Sequence, residues 1–313
     1  AYEIVSRDWS SDVCSSDLGL MVDLVTLSAE GASAVVAGDG AELRSWRPKG
    51  GPELMWPGDP AHWPFWAPIL FPIVGYLKDD TYRWRGRAYR MVRHGFTRFK
   101  PFARVLSDLH QVTWTLVDDE QTRAEYPFAF RLTLDYELSA TTLDVGFAVE
   151  NRGQEPMPYA AGFHPAFNWP FAGGAREDYR VEFDADEAAA IPAITATGLV
   201  RRISRPSPLT GRRLDLRPEL FADGAFVFPD ARSCEMTFAA KDGSALVMTA
   251  EGFPHLVVWA KPAAPYISLE AWSGYSDYED TEGDFATKPS MRLLPPGETA
   301  RHSVRLGWRA AER

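Results

Sequence analysis

Three side chains of this 313-residue chain are suited to acid–base chemistry: His94, His164 and Glu270. With ordinary pKa values of about 6.5 for histidine and about 4.3 for glutamate, an ionised glutamate can accept a proton near neutral pH. A histidine can donate one after a small upward shift of its pKa. Structural alternatives exist for each group, because a histidine is often a core residue, and Glu270 fits an exposed strand end or a salt bridge equally well.

The residues beside the two histidines restrict where their rings can point. His94 lies in the block 93–98, Arg-His-Gly-Phe-Thr-Arg, where Gly95 has no side chain and lets a ligand or another backbone segment approach closely. Pro165 follows His164 and favours an extended backbone at that histidine, which fixes the direction of its ring. Both segments are therefore suited to holding a histidine ring in a fixed orientation.

Glu270 stands at the predicted end of an apolar strand, directly before Ala271 and Trp272. A carboxylate in such a place costs free energy if it is buried without partners. The flat apolar face of Trp272 is of the kind on which sugar rings rest, although a tryptophan in the core is the commoner case. The pair predicts a carboxylate beside an aromatic platform.

The elements that must position these groups are strands. Residues 128–138 alternate apolar and polar side chains, and residues 143–149 repeat the pattern after a short break, which predicts an antiparallel pair with one buried face. Gly86 lies at the centre of a predicted hairpin. Helical periodicity is nearly absent, with one short candidate around 186–191. Further strands are predicted at 33–38, 41–46, 112–116, 234–240, 244–250, 256–261, 266–271 and 304–308.

Short strands separated by Gly, Pro and Asp turns predict an all-β fold, and we expect one large antiparallel β-sandwich over residues 19–313. No Ser/Gly run, charge block or repeat divides the strand pattern. Three long irregular segments, 58–72, 155–175 and 272–289, are expected to be loops at the rim, and loops of that length in a compact domain tend to be functional.

Composition excludes several classes of partner. The 33 basic and 43 acidic residues give a net charge of −10, which argues against binding nucleic acid or an anionic membrane surface. The longest apolar stretch, 63–77, contains three prolines and is shorter than the roughly 20 residues of a membrane-spanning helix. Two cysteines, Cys14 and Cys234, cannot form a disulfide framework or a four-ligand zinc site, so we expect a reducing, cytoplasmic location.

Residues 1–18 do not resemble the rest of the chain. The segment 7–18, RDWSSDVCSSDL, resembles a translated sequencing adaptor, so we interpret residues 1–18 as a non-native tail, with a disordered native tail as the alternative. Met21 then becomes a plausible native start. No function is inferred from this tail.

Five segments in this order resemble the aldose 1-epimerase, or galactose mutarotase-like, family. The resemblance covers most of the chain from Leu24 to Gly307. It implies a β-sandwich of the galactose mutarotase-like supersandwich type, a small-molecule sugar substrate, and neither a catalytic metal nor a nucleotide cofactor. The segments are Gly-Ala-Glu-Leu at 40–43, Arg-His-Gly-Phe-x-Arg at 93–98, His-Pro-x-Phe-Asn at 164–168, Glu-x-Trp at 270–272, and Leu-Pro-Pro-Gly-Glu at 294–298.

The resemblance also implies roles for individual residues. Glu270 matches the base that removes the proton of the C1 hydroxyl, and His164 matches the acid that protonates the ring oxygen. His94 matches a second histidine that holds the substrate near the ring oxygen. Asp223 lies where the family has a carboxylate that binds sugar hydroxyls, and Trp272 is expected to contact the substrate. Such a site interconverts the α and β anomers of a hexose by opening the ring.

One position departs from the family pattern. Members often have a substrate-binding arginine where this chain has Tyr76, so either Tyr76 binds a hydroxyl itself or Lys78 reaches inward. Arg98 leaves open a hexose 6-phosphate substrate, because sugar-phosphate members use arginines near the sugar to bind phosphate. The departure affects the expected specificity and leaves the acid–base pair intact.

Two other functions remain open from the sequence. A glycoside hydrolase needs two carboxylates across a sugar, and Glu270 with Asp223 or Asp277 provides candidates. A non-catalytic carbohydrate-binding protein can keep the sandwich and the aromatic cleft without doing chemistry. The presence of both His164 and Glu270 favours the enzyme, since a binding module has no need of a paired acid and base.

Overall fold

The computed structural model describes residues 22–311, and the predicted non-native tail at 1–18 lies outside them. Within that range one α-helix, α1 (Glu120–Glu125), accompanies short 3₁₀ turns at Lys78–Asp80, Thr97–Phe99, Arg176–Asp178, Pro218–Phe221 and Phe285–Thr287. The strands are β1 Leu24–Ala29, β2 Ala32–Ala37, β3 Leu43–Arg47, β4 Ile69–Leu70, β5 Thr81–Trp84, β6 Arg87–Arg90, β7 Ala103–Ser107, β8 Gln111–Val117, β9 Phe130–Leu138, β10 Thr142–Asn151, β11 Met157–Tyr159, β12 Gly162–Phe163, β13 Ala166–Asn168, β14 Tyr179–Phe183, β15 Ala190–Ile194, β16 Val200–Pro206, β17 Arg213–Asp215, β18 Phe226–Phe228, β19 Glu235–Ala240, β20 Ala245–Glu251, β21 His255–Trp259, β22 Tyr266–Trp272, β23 Arg292–Leu294 and β24 Thr299–Arg309.

Two large sheets dominate the fold, and the strands within each pair antiparallel. The larger has nine strands in the order β17-β14-β19-β20-β24-β10-β9-β8-β7. The smaller has six, in the order β18-β21-β22-β12-β4 with β13 also paired to β22. The predicted all-β class is confirmed. None of the helices among residues 22–311 has the length and apolar character needed to cross a bilayer.

The two sheets face each other across one apolar core. Phe130 of β9 contacts Phe71 with ring centroids 5.0 Å apart, and Phe147 of β10 contacts Phe163 of β12 at 6.3 Å. These side chains belong to a single cluster of buried residues that includes both sheets. Such face-to-face packing of two antiparallel sheets is a β-sandwich.

The period of two along β22 separates the core from the opposite face of the smaller sheet. Ile267, Leu269 and Ala271 belong to the core between the sheets, so the alternate residues Glu270 and Trp272 project from the other face. The sequence predicted that Glu270 ends the strand, but β22 continues to Trp272. Both faces of β22 are buried, and the strand is therefore apolar almost throughout.

Loops and one hairpin cover this outer face. The loop prediction is wrong for parts of two segments, because 58–72 contains β4 and 155–175 contains β11, β12 and β13. The β15–β16 hairpin, which pairs with neither large sheet, was not predicted. β16 is mostly exposed and lacks the alternation that reveals a half-buried strand. The helical candidate around 186–191 is wrong, since β15 begins at Ala190.

Candidate active site

A cavity of about 770 Å³ lies on the outer face of the six-stranded sheet. Its wall comes from the turns after β4 and β6, the β12–β13 connection, the β15–β16 hairpin, the segment before β18, and β21 and β22. Six of the seven predicted site residues line it, and Arg98 does not. The six are Tyr76, His94, His164, Asp223, Glu270 and Trp272.

His94 is fixed by reciprocal hydrogen bonds with Gly75. The His94 amide donates to the Gly75 carbonyl oxygen (2.8 Å), and the Gly75 amide donates to His94 Nδ1 (3.0 Å). Because Nδ1 accepts, the proton of the neutral ring is on Nε2. Burial lowers the pKa of His94, with a smaller contribution from the positive charge of Arg93, so the ring is neutral. Its buried Nε2–H has no partner among the described residues and is available to a ligand.

Gly95 brings two backbone segments together behind His94. A Cβ atom there would lie 2.0 Å from the Phe71 carbonyl oxygen, and the φ angle of +75° is one that side chains disfavour. The close approach expected at this glycine is therefore made by another backbone segment. His94 itself has a φ of 65°, an uncommon value for a histidine, and the contact with Gly75 holds it there.

Glu270 and His164 meet at the floor of the cavity. Glu270 Oε2 lies 3.4 Å from His164 Nε2, and the two side chains are only 1% and 4% exposed. The same oxygen accepts a hydrogen bond from Trp272 Nε1 at 2.9 Å. The indole of Trp272 therefore orients the carboxylate. The sequence predicted that Trp272 contacts the substrate but did not predict this second role.

Burial shifts the two groups in opposite directions. It raises the pKa of the Glu270 carboxyl well above its usual value, and the charge of Arg93 and the Trp272 hydrogen bond offset part of the rise. Burial also lowers the pKa of the His164 imidazole well below its usual value, and Arg93 adds to that effect. The small upward shift expected for the histidine is thus wrong in direction. A single proton held by the pair resides on Glu270 more readily than the sequence suggests.

Aromatic rings fix the orientation of His164. Trp63 stacks on the imidazole with centroids 4.9 Å apart and planes 29° from parallel, and Trp259 meets its edge at 5.6 Å. Trp63 also stacks on Tyr266 of β22 at 5.6 Å. Trp259 lines the cavity and offers a second aromatic wall. Trp259 lies within the strand predicted at 256–261, and nothing in the sequence singled it out.

Arg93 is a cavity residue to which the sequence assigned no role. Its Nη1 donates to the Tyr76 hydroxyl at 3.0 Å, and its guanidinium lies 4.6 Å from the centre of the Tyr76 ring. Gly198, at the tip of the β15–β16 hairpin, packs so closely that a Cβ there would lie 2.2 Å from the same ring. Tyr76 therefore holds Arg93 in the cavity. The cavity thus contains a guanidinium, that of Arg93, although this chain lacks the arginine that family members often have at position 76.

Arg98 lies behind the cavity wall. Its guanidinium is 5.0 Å from the ring centre of Phe65 and 4.7 Å from that of Phe99. Its Nη2 donates to the Arg93 carbonyl oxygen at 2.9 Å. The residue predicted to bind substrate thus supports the backbone of Arg93 from outside the cavity.

Lys78 and Asp277 also point away from the cavity. Lys78 Nζ donates to the Thr281 carbonyl oxygen at 3.4 Å, so it does not reach inward. Asp277 forms a buried ion pair with Lys288, with Oδ1 and Nζ 3.1 Å apart. Asp277 is therefore not placed to act as a second carboxylate beside Glu270. Between residues 22 and 311 no group of three or more His, Cys, Asp or Glu side chains could hold a metal ion.

The fold is an antiparallel β-sandwich, and a buried carboxylate–imidazole pair lies at the floor of a cavity on one face of its smaller sheet. The model of one protein family, aldose 1-epimerase, matches residues 23–307. The chain belongs to the aldose 1-epimerase family, as the resemblance predicted.

Proteins similar in sequence and structure agree with this assignment. The chromosomal Protein LacX of Lactococcus lactis subsp. lactis is 33% identical over 275 residues, which cover 84% of this chain and 92% of that protein. The structure resembles a galactose mutarotase related enzyme from Lactobacillus acidophilus (TM-score 0.86, 27% identity, 92% of this chain and 98% of that chain). It also resembles a galactose mutarotase-like protein from Lactobacillus casei ATCC 334 (TM-score 0.86, 28% identity, 92% of this chain and 100% of that chain).

Proposed function

We propose that this protein is an aldose 1-epimerase that interconverts the α and β anomers of a hexose by acid–base-catalysed ring opening. The observation that supports this most is the convergence of Glu270 and His164, 3.4 Å apart, at the floor of the cavity. An acid and a base at one place can act on two oxygens attached to the same carbon.

The reaction needs one proton transfer at each oxygen of the anomeric carbon. The reactive form of the pair has Glu270 ionised and the proton on His164; in that form Glu270 takes the proton of the C1 hydroxyl while His164 gives its proton to the ring oxygen. The bond between C1 and the ring oxygen breaks, and the C1 oxygen becomes an aldehyde. Rotation about the C1–C2 bond and the reverse transfers close the ring to the other anomer, so no proton is gained or lost overall. Each positioned group is expected to contribute about 10²- to 10⁴-fold.

Neighbouring residues hold the substrate for this chemistry. The Nε2–H of His94, which has no protein partner in the described chain, donates to the ring oxygen or an adjacent hydroxyl. The guanidinium of Arg93, held by Tyr76, stabilises negative charge that develops near Glu270. Trp259 and Trp272 provide aromatic surface against the ring.

Glycoside hydrolysis has less support. Asp277 is paired with Lys288 away from the cavity, which leaves the exposed Asp223 as the remaining carboxylate partner for Glu270. The group nearest to the Glu270 carboxylate is an imidazole. A non-catalytic sugar-binding protein has no need of that imidazole. An anomer-exchange assay distinguishes such a protein from an epimerase.

The test is anomer exchange measured by NMR on purified protein with a panel of aldoses. Glu270→Gln and His164→Asn are each expected to lower kcat by about 10²- to 10⁴-fold. Glu42→Gln is the matched control, because Glu42 is also a buried glutamate but accepts from the Trp66 and Ala67 amides outside the cavity. Unchanged exchange in both site variants would refute the mechanism. Binding without exchange would indicate a sugar-binding protein, and release of sugar from an oligosaccharide would indicate a glycosidase.

A further inference from the structure

Three walls of the candidate active-site cavity meet at the segment 275–279, which lies after β22 in the chain. The Asp277 amide donates to the Tyr76 carbonyl oxygen, and the Val200 amide donates to the Asp277 carbonyl oxygen, each at 2.8 Å. The Glu279 amide also donates to the Val200 carbonyl oxygen at 2.9 Å. The backbone at Asp277 therefore joins the turn that carries Tyr76 to the hairpin strand β16.

The Asp277 carboxylate holds this junction from behind the cavity wall. Its Oδ2 accepts from the Lys78 amide at 2.9 Å, and its Oδ1 lies 3.1 Å from Lys288 Nζ. The Asp277 and Lys288 side chains are only 4% and 5% exposed. The Lys288 ammonium also donates to the Tyr275 carbonyl oxygen at 2.7 Å. One buried ion pair thus ties the loop after β22 to the turn that carries Tyr76.

Packing alone does not fix this loop, because a second cavity lies behind it. That cavity, of about 480 Å³, is lined by both members of the ion pair and by Tyr82 and Phe285. Burial lowers the pKa of Lys288, and the negative charge of Asp277 opposes that fall. A buried charge that loses its partner is strongly unfavourable. Loss of either member is therefore expected to shift the loop into the open space, and Tyr76 with it.

Tyr76 in turn determines where Arg93 lies. Among residues 22–311 the Tyr76 hydroxyl is the one acceptor of a hydrogen bond from the Arg93 guanidinium, at 3.0 Å, and the Arg93 Nε is buried without a partner. The charge of Arg93 reaches Glu270 and His164, because it lowers the pKa of both groups. A displacement of Tyr76 is therefore expected to reach the reacting pair through Arg93.

We propose that Asp277 and Lys288 are positioning residues for the reaction, because their ion pair fixes Tyr76 and Tyr76 fixes the Arg93 guanidinium. This inference rests on the proposed epimerase function. Neither side chain lines the substrate cavity, so neither supplies a group to the reaction. Asp277 thus has a role different from that of the second carboxylate of a glycoside hydrolase.

The experiment measures KM and kcat for anomer exchange in Asp277→Asn. We expect KM to rise about fivefold, the change expected for loss of the hydrogen bond between Tyr76 and Arg93, with kcat nearly unchanged. A purely structural role would instead reduce the amount of folded enzyme, which lowers kcat and leaves KM unchanged. In a Tyr76→Phe background the same substitution should change KM by less than about twofold, because effects that share one route are not additive.

Two further variants separate positioning from stability. Asp118→Asn is the matched control, since the Asp118 side chain is 2% exposed, accepts from the Phe130 amide at 2.9 Å and pairs with Arg123 outside the cavity. It should lower the melting temperature and leave KM unchanged. The double variant Asp277→Asn/Lys288→Met removes both buried charges, so it leaves no unpaired charge if Asp277→Asn does not fold. We expect it to raise KM about fivefold as well.

Each outcome decides the proposal. An unchanged KM in the folded variants, or an equal rise in KM with and without Tyr76→Phe, would overturn it while the epimerase function stands. If the wild type exchanges no aldose, the epimerase function fails, and the NMR signal of the Arg93 Nε–H group decides instead. The Tyr76 ring centre is 4.6 Å from the guanidinium, so a displaced ring moves that signal. A moved signal in Asp277→Asn and an unmoved one in Asp118→Asn support the coupling, and an unmoved signal in both overturns it.

Discussion

Trp272→Phe tests which protonation state of Glu270 is active. The substitution keeps an aromatic ring but deletes the Nε1–H that donates to Glu270 Oε2 at 2.9 Å. That bond stabilises the ionised carboxylate and lowers its pKa. Its loss therefore raises the pKa of Glu270 further, because burial already disfavours the charge.

The size of the effect follows from the energy of the bond. A hydrogen bond to a charged group contributes about 1.5–3 kcal/mol, and one pKa unit corresponds to about 1.4 kcal/mol. Trp272→Phe should thus raise the pKa of Glu270 by about one to two units. If ionised Glu270 is the base, the fraction of the pair in that form falls by roughly 10- to 100-fold.

The assay is the pH dependence of kcat/KM for anomer exchange. In the proposed reaction the pair is active with one proton, so the rate is expected to fall when a second proton binds and when the last one leaves. Since burial raises the pKa of Glu270 and lowers that of His164, the loss of rate at high pH belongs mainly to Glu270. We expect Trp272→Phe to move that alkaline limb upward by about one to two units and to lower the plateau.

Trp259→Phe is the control, because it changes an aromatic wall of the same cavity without touching the Glu270 carboxylate. It is expected to raise KM and leave the alkaline limb in place; the comparison uses that limb alone, because Trp259 also contacts the His164 ring. A shift of the acidic limb in Trp272→Phe would refute the inverted order of the two pKa values. An unchanged profile would refute the assignment of Glu270 as a titrating group of the reaction.

Three further predictions concern substrate binding and stability. Tyr76→Phe removes the 3.0 Å hydrogen bond to Arg93 and should raise KM about fivefold, a loss of about 1 kcal/mol, as measured by the same exchange assay. Gly95→Ala should destabilise the fold by about 1–3 kcal/mol more than Gly86→Ala in chemical denaturation, because both have positive φ but only the Gly95 position is blocked by backbone; equal losses would contradict this. Glu270→Gln should have a higher melting temperature than the wild type at pH 9. Because burial raises the pKa of Glu270 in the folded state, its contribution to stability is fully present below the pKa of an ordinary glutamate and is lost as the pH rises through the raised pKa. A lower melting temperature in Glu270→Gln would show that the charged carboxylate is well solvated in the folded protein.

The sequence was sufficient where side chains alternate along one strand. The period of two predicted β9 and β10, and both form with the register of an antiparallel pair. It failed for β16, whose exposed residues follow no apolar period because the hairpin packs against the cavity rather than into the core between the sheets. Pattern alone therefore identified many of the longer core strands, but it missed β14 of the nine-stranded sheet, the short β11, β12 and β13 inside the predicted loop 155–175, and the hairpin that borders the cavity.

The sequence predicted which residues form the candidate site, but it predicted only part of what each residue does there. Glu270, His164 and His94 were identified from their neighbours, and the structure places all three in one cavity. The position of Arg93 depends on Tyr76, which lies 17 residues earlier in the chain, and no local spacing encodes that contact. The direction of the His164 pKa shift was wrong because it depends on burial, which a motif does not report.

The reacting groups and the far end of the cavity rest on parts of the fold with different local stability. Glu270 belongs to β22, which is paired along both edges with β12, β13 and β21. Amides of such a strand exchange with solvent mainly through global unfolding, whereas amides of the exposed β15–β16 hairpin can exchange through local opening. Mutations can therefore accumulate in the hairpin at little cost to the sheet. An enzyme built this way can change its substrate over evolutionary time while the acid–base pair stays in place.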